Sequence, residues 1–161
     1  MRFLTCDALI ARKVACEHRL VTCYQPTHAA LAERVAPVRA IDPATAVRRF
    51  VALPLTQVLI FHGTPGGVRA RPAIVYVFGH PPARACPPDA RCARPQNFVL
   101  VWEMGRRVTV RGVTIGHTAY ASFATWRATA ATRGRRLSVT VDSNAGEAQV
   151  LQIARAITQS T

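Results

Sequence analysis

The chain has 161 residues and a mass of 17.5 kDa, enough for one ordinary domain that buries about 70% of its unfolded surface and too little for two full domains. Apolar residues make up 50% and charged residues 18%, which excludes intrinsic disorder, and no apolar run approaches the roughly 20 residues of a spanning helix. Twenty-one basic residues against eight acidic ones give a formal charge of +13, spread evenly: residues 1–80 hold ten basic and four acidic groups and residues 81–161 hold eleven and four, so there is no basic tail.

Twenty of the basic residues are arginine and only Lys13 is lysine, a skew that fits a GC-rich genome as well as a need for guanidinium chemistry. Such a charge attracts nucleic acid, anionic lipid head groups and acidic polymers alike, and the attraction falls steeply with salt. Residues 1–40 read as a loosely patterned helical segment, with Leu4, Ala8, Ile10, Val14 and Ala15 as an apolar stripe and a short helix from Ala29 to Val35 ended by Pro37. Asp7 and the Arg12-Lys13 pair interrupt what a secretory leader keeps apolar, and Lys13 stands where the Val14-Ala15-Cys16 stretch of a lipoprotein signal needs an aliphatic residue. No clear leader is therefore expected.

Residues 41–161 read as a single α+β domain. Asp42 before Pro43 predicts a helix at about 43–51, because aspartate accepts from open backbone N–H groups and proline tolerates the first turn. VLIF at 58–61 and IVYVF at 74–78 are strands separated by the turn-rich HGTPGGVRARP. Beyond the proline-rich stretch 81–95, NFVLVWE is apolar on both parities and predicts a strand covered on both faces. Residues 107–111 alternate valine and arginine, residues 120–127 read as a strand, and ATAATRG as a turn. RRLSVTVD at 135–142 places Leu137, Val139 and Val141 inward and Arg136, Ser138 and Thr140 outward. Asn144 and Glu147 have capping-box spacing, so residues 145–158 predict an amphipathic terminal helix. The expected architecture is an antiparallel sheet of five or six strands with this helix packed on it and further helices near the N-terminus.

Four constellations bear on chemistry. Cys86 and Cys92 in CPPDARC suit a disulfide that staples the loop in an oxidising compartment; zinc with His80, or two reduced thiols, are the competing readings. Cys16, His18, Cys23 and His28 supply zinc-ligand types at a spacing unlike the common knuckles, and with Cys6 their cysteines read more simply as packed side chains or a further disulfide. VLIFHGTPGG, with His62, resembles the strand and turn that build the oxyanion hole of α/β-hydrolases, but the nearest nucleophile elbow is Gly112-Val-Thr-Ile-Gly116 with threonine at its centre. Arg106, Arg107, Arg111, Arg127, Arg133, Arg135 and Arg136, with Tyr120 and Trp126, suggest a basic sheet face. From these, Arg107, Arg111, Arg127 and Arg136 are the candidate anion-binding residues; no catalytic, cofactor or metal residue is assigned.

The segment from Ile74 onward resembles a group of poorly characterised extracytoplasmic proteins and lipoproteins of high-GC Gram-positive bacteria. The likeness rests on Tyr76 and Gly79, the loop bounded by Cys86 and Cys92, the strand through Trp102, the V-x-V-R-G turn at Val108 to Gly112, and a hairpin followed by QVLQIARAI. The last part is also similar to C-terminal domains of anti-sigma-associated and lipoprotein-sorting-like proteins. The resemblance implies a Cys86–Cys92 disulfide and an envelope location, and brings no activity with it. The expected role is a non-enzymatic extracytoplasmic sensor or ligand-binding domain whose basic surface meets anionic envelope components. An intracellular nucleic-acid-binding module is the alternative, and a hydrolase using His62 a weaker one.

Overall fold

A computed structural model describes residues 21–38, 41–62, 72–82, 96–105, 112–120, 123–132 and 137–159. Their elements run in the order β1 (Val21–Tyr24), a 3-10 turn (Pro26–His28), α1 (Ala29–Val35), α2 (Ala44–Phe50), β2 (Leu55–Phe61), β3 (Ala73–Gly79), β4 (Phe98–Gly105), β5 (Val113–Tyr120), β6 (Phe123–Ala131), β7 (Leu137–Ser143) and α3 (Glu147–Gln159). The strands form one seven-stranded sheet in the order β1-β2-β3-β4-β7-β6-β5, antiparallel at every pairing. This is the α+β architecture expected, with a C-terminal helix on the sheet and a slightly larger strand count. No described helix is long and apolar enough to cross a membrane.

β1 departs from the helical reading of residues 1–40: it pairs with β2 from Val21 opposite Phe61 to Tyr24 opposite Val58. The strand expected over 120–127 is two strands, since Tyr120 closes β5 and pairs with Phe123 at the start of β6. Ala121 and Ser122 between them contain none of the glycine or asparagine that marks a tight hairpin in sequence. β6 then continues through Ala131, into the stretch read as a turn, because β7 lies beside it and completes its ladder. The strand expected at 107–111 lies outside the described residues.

Alternation assigns the two sheet faces. Val58, Ile60, Ile74, Tyr76, Phe78, Val99, Val101, Val139 and Val141 point to one face, where they join Ala32 of α1, Val47 of α2 and Val150, Ile153, Ala154 and Ile157 of α3 in one buried cluster. Leu59, Val75, Val77, Phe98 and Leu100 form a second cluster on the opposite face, with Cys23, Phe61 and Trp102 packed against it. β4 is thus covered on both faces, as its unbroken apolar run requires. Towards β5 the opposite face turns polar: Asp142 pairs with Arg127, Thr140 with Thr129, and Thr129 with Thr114 across the strands. Ser138 and Thr140 point away from the helices, as the alternation predicts, yet they are buried, at 7% and 8% exposure. β7 is a central strand, so side chains of β4 and β6 shield it from both sides.

The ends are held by local polar bonds. Asp42 Oδ1 accepts from Ala44 N at 2.8 Å, opening α2 with Pro43 at the cap itself. The capping box expected from Asn144 and Glu147 is replaced by another: Gln149 Oε1 accepts from Gly146 N at 3.1 Å, while Asn144 bonds Phe98 N and Gln96 O at the start of β4. Gly79 ends β3 at φ +71°, and a Cβ there would overlap the Asn97 carbonyl, so glycine is required.

Candidate functional site

Under α1 and the segment leading into α2, the helix face carries acids instead of hydrocarbon. Glu103 shares the parity of Val99 and Val101, so the strand that buries those valines also buries its carboxyl, at 0% exposure. Its Oε2 accepts from Ile41 N at 2.8 Å, while Oε1 meets no hydrogen-bond partner among the described residues. Tyr76, diagonal to it on β3, donates its hydroxyl to Glu33 Oε1 of α1 at 3.0 Å. Burial pushes the Glu103 carboxyl up to about 8; the Ile41 amide opposes this, and the Glu33 and Asp42 carboxylates add to it. The Tyr76 phenol is raised well above its ordinary value, first by burial and then by Glu103 and Glu33.

A carboxylic acid kept neutral near neutral pH is a feature of proton-transfer sites. Here, however, the side chain is sealed from solvent, and its bond to the Ile41 amide holds that backbone against β4. The Tyr76–Glu33 bond ties α1 to β3 in the same way. The geometry is that of a latch between the helices and the sheet.

The second polar locus lies on the opposite face. Arg127 meets Asp142 through Nε to Oδ1 at 2.6 Å and Nη2 to Oδ2 at 2.8 Å, with the Asp142 side chain 2% exposed and that of Arg127 50% exposed. Of the four candidate anion-binding residues, only Arg127 is described, and Asp142 already occupies its fork; Arg107, Arg111 and Arg136 lie outside the described residues, as do Arg106, Arg133 and Arg135. Trp126 points to the other face from Arg127 and stacks on His117, with ring centroids 3.6 Å apart. The two therefore do not build one stacking platform.

Cys86 and Cys92 lie outside the described residues, and so do Cys6, Cys16 and His18. No group of three or more metal-ligating side chains occurs among the described residues. His62 is exposed at the end of β2 and lies 2.8 Å from Thr22 Oγ1 through Nε2. Thr114, the centre of the elbow-like motif, lies within β5 and not at a strand-to-helix turn. It is five strand positions from β2, about 24 Å at ordinary strand spacing, so the two halves of a hydrolase site are not brought together. Sequence reasoning missed Glu103, Tyr76 and Glu33; the legible signal was an acid on the parity of Val99 and Val101. The chain matches no protein-family model, no curated protein and no solved structure.

Proposed function

We propose that this chain is a non-enzymatic domain that works outside the cytoplasm and offers a positively charged surface to anionic envelope material. One observation carries the reading: among the described residues, two of the five acids are buried and a third is half-buried, while all five arginines are exposed. Glu103 and Asp142 are buried and Glu33 is half-buried on Tyr76, so Asp42 and Glu147 are the only exposed acids among the described residues. Arg34, Arg48, Arg49 and Arg155 are all exposed on the helices, and none forms an ion pair among the described residues. Over the described residues, where arginines and acids are equal in number, the exposed charge is therefore positive. The resemblance from Ile74 onward and its Cys86–Cys92 pair support the envelope location.

Two measurements test this. Binding to soluble polyphosphate at near-physiological salt is expected to persist and to fade as salt rises; retention of mixed oligonucleotides without polyphosphate binding would transfer the assignment to a nucleic-acid module. Thiol labelling of freshly isolated protein is expected to reach Cys86 and Cys92 only after reduction, and labelling without reductant overturns the compartment.

A further inference from the structure

Helix α1 is built inside out. Its sheet-facing positions are Ala29, Ala32 and Glu33, continued by Ala36, and Ala32 is fully buried in the core. Leu31 and Val35, one turn apart on the other side, are 41% and 49% exposed and are the large exposed apolar side chains among the described residues. An amphipathic helix on a sheet places its large apolar residues inward, as α3 does with Val150, Ile153 and Ile157. The small alanines let α1 lie close to β2 and β3, but they do not account for leucine and valine outside. Exposed Arg34 flanks Leu31 on the outer side of α1, and the exposed Arg48 and Arg49 belong to α2, whose Val47 joins Ala32 of α1 in the same buried cluster.

We propose that the outer side of these two helices docks on an anionic lipid surface, with Leu31 and Val35 entering the headgroup boundary and Arg34, Arg48 and Arg49 meeting lipid phosphates. The inference rests on the anionic-surface reading above and names its occupant. Charge complementarity and size select that occupant. A second copy would bring another +13 charge against the same helices, and two apolar side chains fall far short of the roughly 800 Å² per partner of a stable protein interface. Shallow insertion of a few apolar groups combined with basic residues is enough for peripheral membrane binding.

The test uses the full chain and vesicles of equimolar phosphatidylglycerol and phosphatidylcholine at near-physiological salt, beside pure phosphatidylcholine vesicles and soluble polyphosphate. Wild type is expected to bind the anionic vesicles and not the neutral ones. Leu31→Ser with Val35→Ser leaves the charge unchanged and is expected to weaken vesicle binding by about tenfold or more, with polyphosphate binding kept. Arg34→Gln with Arg48→Gln and Arg49→Gln is expected to weaken both. Tryptophan in Leu31→Trp is expected to shift its emission to the blue on anionic vesicles, a readout independent of affinity. Vesicle binding untouched by the serine pair, no emission shift, or a concentration-dependent dimer abolished by the serine pair overturns lipid docking while polyphosphate binding still supports the broader reading. Binding to neither vesicles nor polyphosphate overturns both.

Discussion

Two acids are buried in this sheet on adjacent strands, one on each face, and the chain treats them oppositely. Asp142 on β7 receives a two-pronged guanidinium from Arg127, so its charge is compensated where it sits. Glu103 on β4 receives one amide N–H and faces Glu33, Asp42 and the Tyr76 hydroxyl, with no cation among the described groups that shift it. In a chain with 21 basic residues and eight acidic ones, this difference does not come from a shortage of cations. It comes from position: on the face away from the helices a long arginine of β6 lies across its neighbour strand and keeps its head half in water, whereas under α1 and α2 a guanidinium would have to be desolvated entirely.

The largest expected effect comes from making the uncompensated side worse. Val139 lies directly opposite Glu103 in the ladder, so Val139→Asp places two carboxyls side by side in the core and should cost more than about 4 kcal/mol at neutral pH in a denaturant titration. A loss below ~1 kcal/mol would show that water reaches this pocket. Next comes the pH dependence of Glu103 itself. Its folded value of about 8 lies above its unfolded value near 4.5, so the folded state holds the proton more tightly. The contribution is fully present below pH 4.5 and is lost as pH rises to 8, at no more than about 1.4 kcal/mol per pH unit. Glu103→Gln should match wild type near pH 5 and exceed it progressively up to pH 8; parallel stability curves for the two proteins would refute the shift.

On the compensated side, Arg127→Leu should cost about 3 kcal/mol, because it strands the Asp142 charge; Arg127→Leu combined with Asp142→Leu should recover most of that. A double variant no better than the single one would mean that Arg127 acts through packing and not charge. The smallest effect is expected at Tyr76→Phe, which removes the bond to Glu33 and keeps the ring in the core, at about 1 kcal/mol. A greater sensitivity of α1 amides to hydrogen exchange in this variant would identify the bond as the tie between α1 and the sheet.

Much of the fold was legible. Short β-branched and aromatic runs located β2 and β3, an apolar run on both parities located β4 and alternation located β7; Asp42 with Pro43 marked α2, and the period of Val150, Leu151, Ala154 and Ile157 marked α3, because each signal sits within a few residues. β1 was not legible, since VTCY is too short to outweigh its helical surroundings and becomes a strand only by pairing with β2. The candidate site was less accessible still. Arg127 was chosen as an exposed ligand for anions, but its partner Asp142 stands 15 residues away and meets it through strand pairing.

By itself the sequence determined the class of fold, the alternation of β7 and the excess of positive charge, all of which follow from local pattern and composition. Tertiary structure alone decided which parity faced the helices, that β7 would enter between β4 and β6, and that Ser138 and Thr140 would be buried. It also decided that Glu103 would lie beside Ile41 and Tyr76 beside Glu33, and that α1 would turn Leu31 and Val35 outward. Those outcomes depend on contacts between segments far apart in the chain, where the cost of burying a charge and the room between helix and sheet are set by neighbours that no local pattern specifies.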